Sequence, residues 1–265
     1  MGHVGDLRRG LGLPVLVSLL LLTACSPGGG APAENKPGVS SPATGGPAPT
    51  PSVLDADPAR LPDDRESALA LVRQVIATPD SFGPDAVKRT PYESGPDTWP
   101  VLGADCVWRR AKTPDSVLAT LTRSFELPAA DGKGPLRLSA VVTVHRTRDD
   151  ARWEMAESLE ETMRCPAQRL RRDERIGSML SGVLLSGEGG QHTSEDTLTE
   201  SGEFHSTELG GPHPYEWHQA QTLQFTVAVT GKGAKGRTAD ELSGLSSRAV
   251  ATMLTRLESA VEKRS

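Results

Sequence analysis

Residues 223–242, "LQFTVAVTGKGAKGRTADEL", admit two incompatible folds. They join an alternating run to Gly231, Gly233 and Gly236 in the spacing G-x-G-x-x-G, and a helix start follows at Thr238 and Glu241. One reading is a dinucleotide-binding loop in a parallel β-α-β unit, which requires a further parallel strand carrying an acidic residue for the ribose. The other is an antiparallel strand turning into a helix. Leu223, Phe225, Val227 and Val229 alternate with Gln224, Thr226, Ala228 and Thr230, and no strand pattern follows the helix. A strand buried in a parallel sheet is apolar almost throughout, whereas alternation marks a sheet with two unlike faces. The antiparallel reading is preferred, so no nucleotide cofactor is expected and the glycines are read as permitting positive φ in a strand-to-helix turn. Anion binding by Lys232, Lys235 and the helix N-terminus stays open as an alternative.

The neighbouring segments extend this pattern. The alternation reaches back to Tyr215 in "YEWHQAQTLQFTVAVT", read as one strand. In "LRLSAVVTVHRT" (136–147), Leu136, Leu138, Ala140, Val142 and Val144 share one face. Arg137, Ser139, Thr143 and His145 share a face expected to be wetted, and only Val141 breaks the pattern. A Gly-rich turn, "AADGKGP", joins this strand to "SVLATLTRSFEL" as a hairpin. Three helices are expected. The first starts at Asp63 or Asp64, buries Leu69, Val72 and Ile76, and ends at Pro79. The second is capped by Thr147 with Asp150, carries the stripe Ala151, Met155, Leu159 and Met163, and exits at Cys165. The third is capped by Thr238 with Glu241 and buries Leu242, Leu245, Val250, Met253, Leu254, Leu257 and Val261. The polar stretch "SGEGGQHTSEDTLTESGEFHSTELGGPHP" is read as short exposed strands and loops. The fold class is therefore α+β, an antiparallel β-sheet with amphipathic helices packed on it.

The first residues address the chain to the cell envelope. "MGHVGDLRRGLGLPVLVSLLLLTAC" has a basic start at Arg8 and Arg9, an apolar run from Leu11 to Leu22, and a lipobox-like end at Leu22-Thr23-Ala24-Cys25. Residues 1–24 are read as a lipoprotein signal peptide and Cys25 as the lipidated N-terminus; the alternative is an ordinary secretory signal with an incidental cysteine. Residues 25–64, rich in Pro, Gly and Ser, are read as a tether that reaches about 30–35 Å as a flexible coil. Residues 65–265 form the folded domain. The expected location is the extracytoplasmic face of the cell membrane, held by the N-terminal lipid.

Setting Cys25 aside leaves Cys106 and Cys165, an even pair in an exported chain, so a disulfide closing 59 residues is expected. It would pin the end of the second helix to the strand beginning at Cys106. The whole chain has a formal charge of −5; removing residues 1–24 takes away two arginines and one aspartate, leaving −6. This balance argues against a nucleic-acid partner, which would need a basic stripe. The scarcity of Asn and Ile, with Arg well above Lys, suggests a GC-rich bacterial genome.

Catalytic signatures do not assemble. The chain has no G-x-S-x-G, no H-E-x-x-H and no Cys-x-x-Cys. His192, His205, His213 and His218 are close in sequence but lack ligand spacing on one element, and solvated loop residues are the plainer account, so no metal is expected. Glu160 with Glu161 and Asp149 with Asp150 are read as exposed helix positions. Two features are weighed as ligand-binding parts. Arg123 shares parity with Leu121 and Phe125 and points inward or toward a cleft, and Trp108, Trp153, Trp217 and Tyr215 could line one; a bulge or edge position for Arg123 and core packing for the aromatics are the alternatives.

The lipobox, the tether, "VVTVHRT" running into "DDARWEMAESLEETMRCP", and "LQFTVAVTGKG" before a closing amphipathic helix together resemble actinobacterial sensor-domain lipoproteins. These are similar to the extracellular domain of PknH-like membrane serine/threonine kinases. The resemblance spans about residues 65–262. It implies an α+β domain with an antiparallel sheet and a ligand cleft. The kinase sensors are expected to have two disulfides where this chain offers one pair, so no cleft residue is carried over. The expected function is non-catalytic binding of a small-molecule or envelope ligand, with signalling passing through a possible membrane protein partner. A structural lipoprotein and a cell-envelope hydrolase are the rival classes.

Overall fold

Alternation with period two makes a strand two-faced, and here it sets the centre of the sheet. Strand β5 (Leu136–His145) follows β4 (Val117–Leu127) through a turn at Asp131-Gly132, where both residues have positive φ as a tight hairpin demands. A computed structural model describes residues 54–183 and 194–263; the leader, Cys25, the tether up to residue 53 and His192 lie outside the described residues. In chain order, α1 (Arg65–Val75), β1 (Val87–Glu93), β2 (Thr98–Leu102) and β3 (Trp108–Lys112) precede the β4–β5 hairpin. After it come α2 (Arg148–Arg164), β6 (Gln168–Arg169), β7 (Glu174–Val183), β8 (Asp196–Ser206), β9 (Gly210–Thr222), β10 (Phe225–Lys232) and α3 (Ala239–Val261).

Eight strands form one antiparallel sheet in the order β1-β4-β5-β10-β9-β8-β7-β6, and β2 pairs with β3 as a separate hairpin. The fold is thus α+β, one globular domain with three helices on a large antiparallel sheet. The chain runs out along β4 and β5, crosses through α2, and meanders back from β6 until β10 closes against β5. Its antiparallel partners on both sides exclude a parallel β-α-β unit.

The apolar residues of β5 and β10 face α1 and α3, building a core that includes Phe125, Leu138, Val142, Val144, Phe225, Val227 and Val229. From α3, all seven residues expected to face inward are buried. Truncating a fully buried one such as Leu257 to Ala would cost about 2–5 kcal/mol. At the α3 start, Thr238 accepts from the Glu241 amide, but the Glu241 carboxylate turns to Lys133 and Arg237, so only half of the expected capping box forms.

The opposite face is not wetted as the alternation suggested. Arg137, Thr143 and His145 are buried. Helix α2 covers part of this face and the β2–β3 hairpin borders the rest. Because the covered face is polar, α2 presents polar groups to it: Glu154 binds His145 at 2.6 Å, Thr226 at 2.7 Å and Gln219 at 3.0 Å. Ala151 and Met155 are buried as expected, but Thr162 replaces the stripe's end and Met163 is 76% exposed. Matching a polar sheet face rotated the helix away from its most apolar stripe.

Three further expectations are corrected. "YEWHQAQTLQFTVAVT" is a hairpin: β9 ends at Thr222, Leu223 turns at φ +51° with its amide held by Glu195, and β10 begins at Phe225. The polar stretch read as short exposed strands and loops supplies β8 and the start of β9, interior strands of 11 and 13 residues. Residues 54–64, assigned to the tether from composition, belong to the domain: Leu54 joins the core, Ala56 bridges Glu262, and the backbone amide of Asp57 donates to Val261 O at 2.8 Å.

Of the three glycines in the G-x-G-x-x-G spacing, only Gly236 has positive φ. Gly233 is required for close approach, since a Cβ there would sit 2.9 Å from Pro214 O. Lys232 points into the polar side of the sheet and Lys235 into solvent, so the two do not form an anion site.

Cys106 and Cys165 are bonded, with Cα atoms 5.5 Å apart; Cys165 caps the end of α2 and Cys106 lies two residues before β3. Closing this 59-residue loop constrains the unfolded chain by about 4 kcal/mol in the entropy model. A C106S/C165S double variant is expected to melt about 10 °C lower than the oxidised protein, measured by circular dichroism, with reductant bringing the parent down to the variant.

Candidate functional site

Between α2 and the β2–β3 hairpin, on the polar side of the sheet, lies a cleft of about 260 Å³. Its floor is the set of side chains that alternation turns away from the main core: Thr122 of β4, Ser139 and Val141 of β5, Thr230 and Lys232 of β10, Tyr215 and Trp217 of β9, and Glu200 of β8. One wall is α2, through Ser158, Glu161 and Thr162, and the other is the hairpin, through Pro100 and Trp108. Val141, the lone break in the alternation of β5, is an apolar patch of this floor.

The disulfide joins the two walls. Cys165 lies three residues beyond Thr162, and Cys106 two before Trp108. The segment after α2 reinforces the joint: Arg169 donates its amide to Cys106 O at 2.9 Å, and the Trp108 indole donates to Gln168 Oε1 at 2.7 Å. Gln168 in turn donates to Cys165 O at 3.2 Å. Trp108 is thereby held in one orientation on the rim.

Beyond the cleft floor, Ile176, Met179, Phe204 and Tyr215 make a second, smaller apolar cluster against which Trp217 packs. It anchors the aromatic end of the floor. The Lys232 ammonium lies 5.3 Å from the centre of the Phe204 ring and binds Glu174 at 2.7 Å. Burial pushes the Glu174 carboxyl up, but Lys232, Arg171 and Arg137 outweigh it and hold the group below its ordinary range. Burial likewise lowers the Lys232 ammonium, against the pull of Glu174.

Two other carboxyls have no such partner. Burial pushes Glu161 up to about 7, with the Leu102 amide and the Arg164 charge opposing, and burial raises Glu200 despite the nearby hydroxyls of Thr162 and Ser181. Ser181 donates to Glu200 at 3.0 Å, yet neither Glu161 nor Glu200 is in an ion pair among the described residues. Burial, with Glu200 beside it, also raises the Tyr215 phenol above its ordinary range. The cleft thus combines three aromatic side chains with two un-neutralised carboxyls.

The structure brings Trp108, Tyr215 and Trp217 together, and places the other aromatic and the arginine elsewhere. Trp153 is 68% exposed on the outer side of α2. Arg123 faces the α1 side of the sheet, where it pairs with Glu93 at 2.9 Å and donates to Ala77 O at 3.4 Å just past α1. Its role is to satisfy carbonyls that a helix end leaves free. Glu161 and Glu200 were missed: Glu161 was read as an exposed helix position and Glu200 lay in a stretch read as short exposed strands and loops. The described histidines form no metal-holding group: His218 sits under α3 near Ser247 at 3.4 Å, and His213 contacts Leu209 O at 2.8 Å. Among the described residues no group of three or more His, Cys, Asp or Glu is arranged to hold a metal, and no helix is long and apolar enough to cross a membrane.

No protein-family model matches the chain, and no curated protein matches its sequence. Among solved structures, the extracellular domain of PknH from Mycobacterium tuberculosis aligns with a TM-score of 0.44 and 11% identity, covering 74% of this chain and 99% of that one.

The raised Glu161 carboxyl has a stability consequence. Its folded pKa lies above the unfolded value, so its stabilising contribution is full below about pH 4.5 and is lost as pH rises through about 7. Glu161→Gln removes that loss. The variant is expected to melt a few degrees above the parent at pH 8, the gap closing by pH 5, as read by thermal scans across this range.

Proposed function

We propose that this chain is a lipid-anchored extracytoplasmic binding protein whose cleft takes a small ligand, acting by recognition without catalysis. The observation that carries the reading is the cleft: a concave, aromatic-lined site with a few converging polar groups, which is the usual composition of a ligand pocket. Its lining, among the described residues, includes no histidine or cysteine to act as base or nucleophile. Glu161 and Glu200 are the groups a hydrolytic reading would draw on, so the non-catalytic reading rests on the concave aromatic lining. The disulfide suits an oxidising compartment, and the basic, apolar and lipobox-like segments ending at Cys25 supply the export signal and the anchor. Signalling, on this reading, passes from the occupied cleft to a membrane protein partner.

The test is native mass spectrometry of the full chain released from a nonionic detergent. A retained small molecule that Trp217→Ala loses is the expected result. A chain that carries only its lipid when isolated from its native envelope would overturn the small-ligand reading and point to a protein partner.

A further inference from the structure

The charge balance inside the cleft narrows the class of ligand. Three acidic or basic side chains line it: Glu161, Glu200 and Lys232. Lys232 already has its counter-ion in Glu174, at 2.7 Å, with Arg137 3.5 Å from the same carboxylate. Glu161 and Glu200 are in no ion pair among the described residues, and only the more distant charge of Arg164 acts on Glu161. A buried carboxylate without a cationic partner is unfavourable, and a ligand that brings a positive charge supplies the missing partner. The surrounding groups are suited to the same charge, because the faces of Trp and Tyr rings attract cations and do so more strongly where water is excluded.

We infer that the cleft is selective for a small organic cation, an ammonium group with an apolar body, held between the carboxylates of Glu161 and Glu200 and the rings of Trp108, Tyr215 and Trp217. This rests on the reading of the cleft as a ligand site and specifies its chemistry. An anion would meet two carboxylates and a lysine already neutralised; a neutral apolar molecule would leave both carboxylates unpaired.

Binding is also coupled to protons. The titratable groups around Glu161 are Glu157 and Arg164 from α2 and Glu200 from β8, with Lys232 of β10 and the neutral phenol of Tyr215 of β9 lining the same cleft. Burial holds Glu161 partly protonated near neutrality, so a cation that requires the carboxylate displaces a proton. Affinity should therefore rise from pH 5.5 to pH 8.

The experiment titrates the full chain, in a nonionic maltoside detergent at pH 8, with benzyltrimethylammonium, benzyl alcohol and benzoate, reading tryptophan fluorescence and calorimetric heat. Benzyltrimethylammonium is expected to bind at least about tenfold more tightly than either other probe, and to weaken at pH 5.5. An E161Q/E200Q double variant should lose that preference while melting no lower than the parent at pH 8, which separates lost recognition from lost folding. Equal or tighter binding of the alcohol or benzoate, or cation binding that survives the double variant, would overturn the cation assignment while leaving a ligand cleft in place. If none of the probes binds, the assignment also fails; a molecule retained in native mass spectrometry would then show that the cleft takes another class, and an empty chain would remove both readings together.

Discussion

The pairing of β5 with β10, from Phe225 opposite Val144 to Lys232 opposite Arg137, is the constraint on which the rest of the domain is built. Both strands alternate, so this register stacks their apolar sets on one side and their polar sets on the other. A slip of one residue would exchange the faces and leave α3, with its buried row from Leu242 to Val261, against Thr226 and Thr230. The apolar side has one stable solution, a core under α1 and α3. The polar side has no such simple cover. Helix α2 shields part of it with Glu154, whose carboxylate is shared among His145, Gln219 and Thr226. The rest remains open as the cleft.

The disulfide acts on that open part. It bonds the exit of α2 to the approach of β3, so the two walls are tied at one end while the sheet beneath sets their spacing. A hairpin of two five-residue strands has little stability of its own, and its position depends on this bond and on the Trp108 to Gln168 hydrogen bond. The same link that reduces the freedom of the unfolded chain therefore also orients an aromatic side chain on the cleft rim.

The cleft carries an internal tension. Glu161 and Glu200 are held in surroundings that disfavour their charge, while Glu174 nearby has Lys232 and Arg137 to compensate it. Retaining unpaired carboxyls in a partly apolar cleft lowers stability at neutral pH and prepares the site for a ligand that carries the missing charge. Glu216 and His218, also shifted by burial, lie instead against α3, beside its Ser243 and Ser247.

The amino-acid sequence by itself determined the local pieces whose physics is local: the caps at Asp64 and Thr147, the apolar face of α3, the two-faced character of β5 and β10, and the Cys106–Cys165 pair. These follow from spacing, hydrogen bonding at helix ends and an even count of cysteines. It misread β8, because Thr197, Glu200 and Ser206 are polar residues buried by neighbours that lie far away along the chain. It also named Met163 as buried and Arg123 as a candidate for a cleft. Only the tertiary structure decided those cases, since a polar strand is a loop or an interior strand according to what covers it. The same holds for the cleft: Trp108, Glu161, Glu200 and Trp217 come from four separate elements, and what brings them together is the sheet order, which no local pattern encodes.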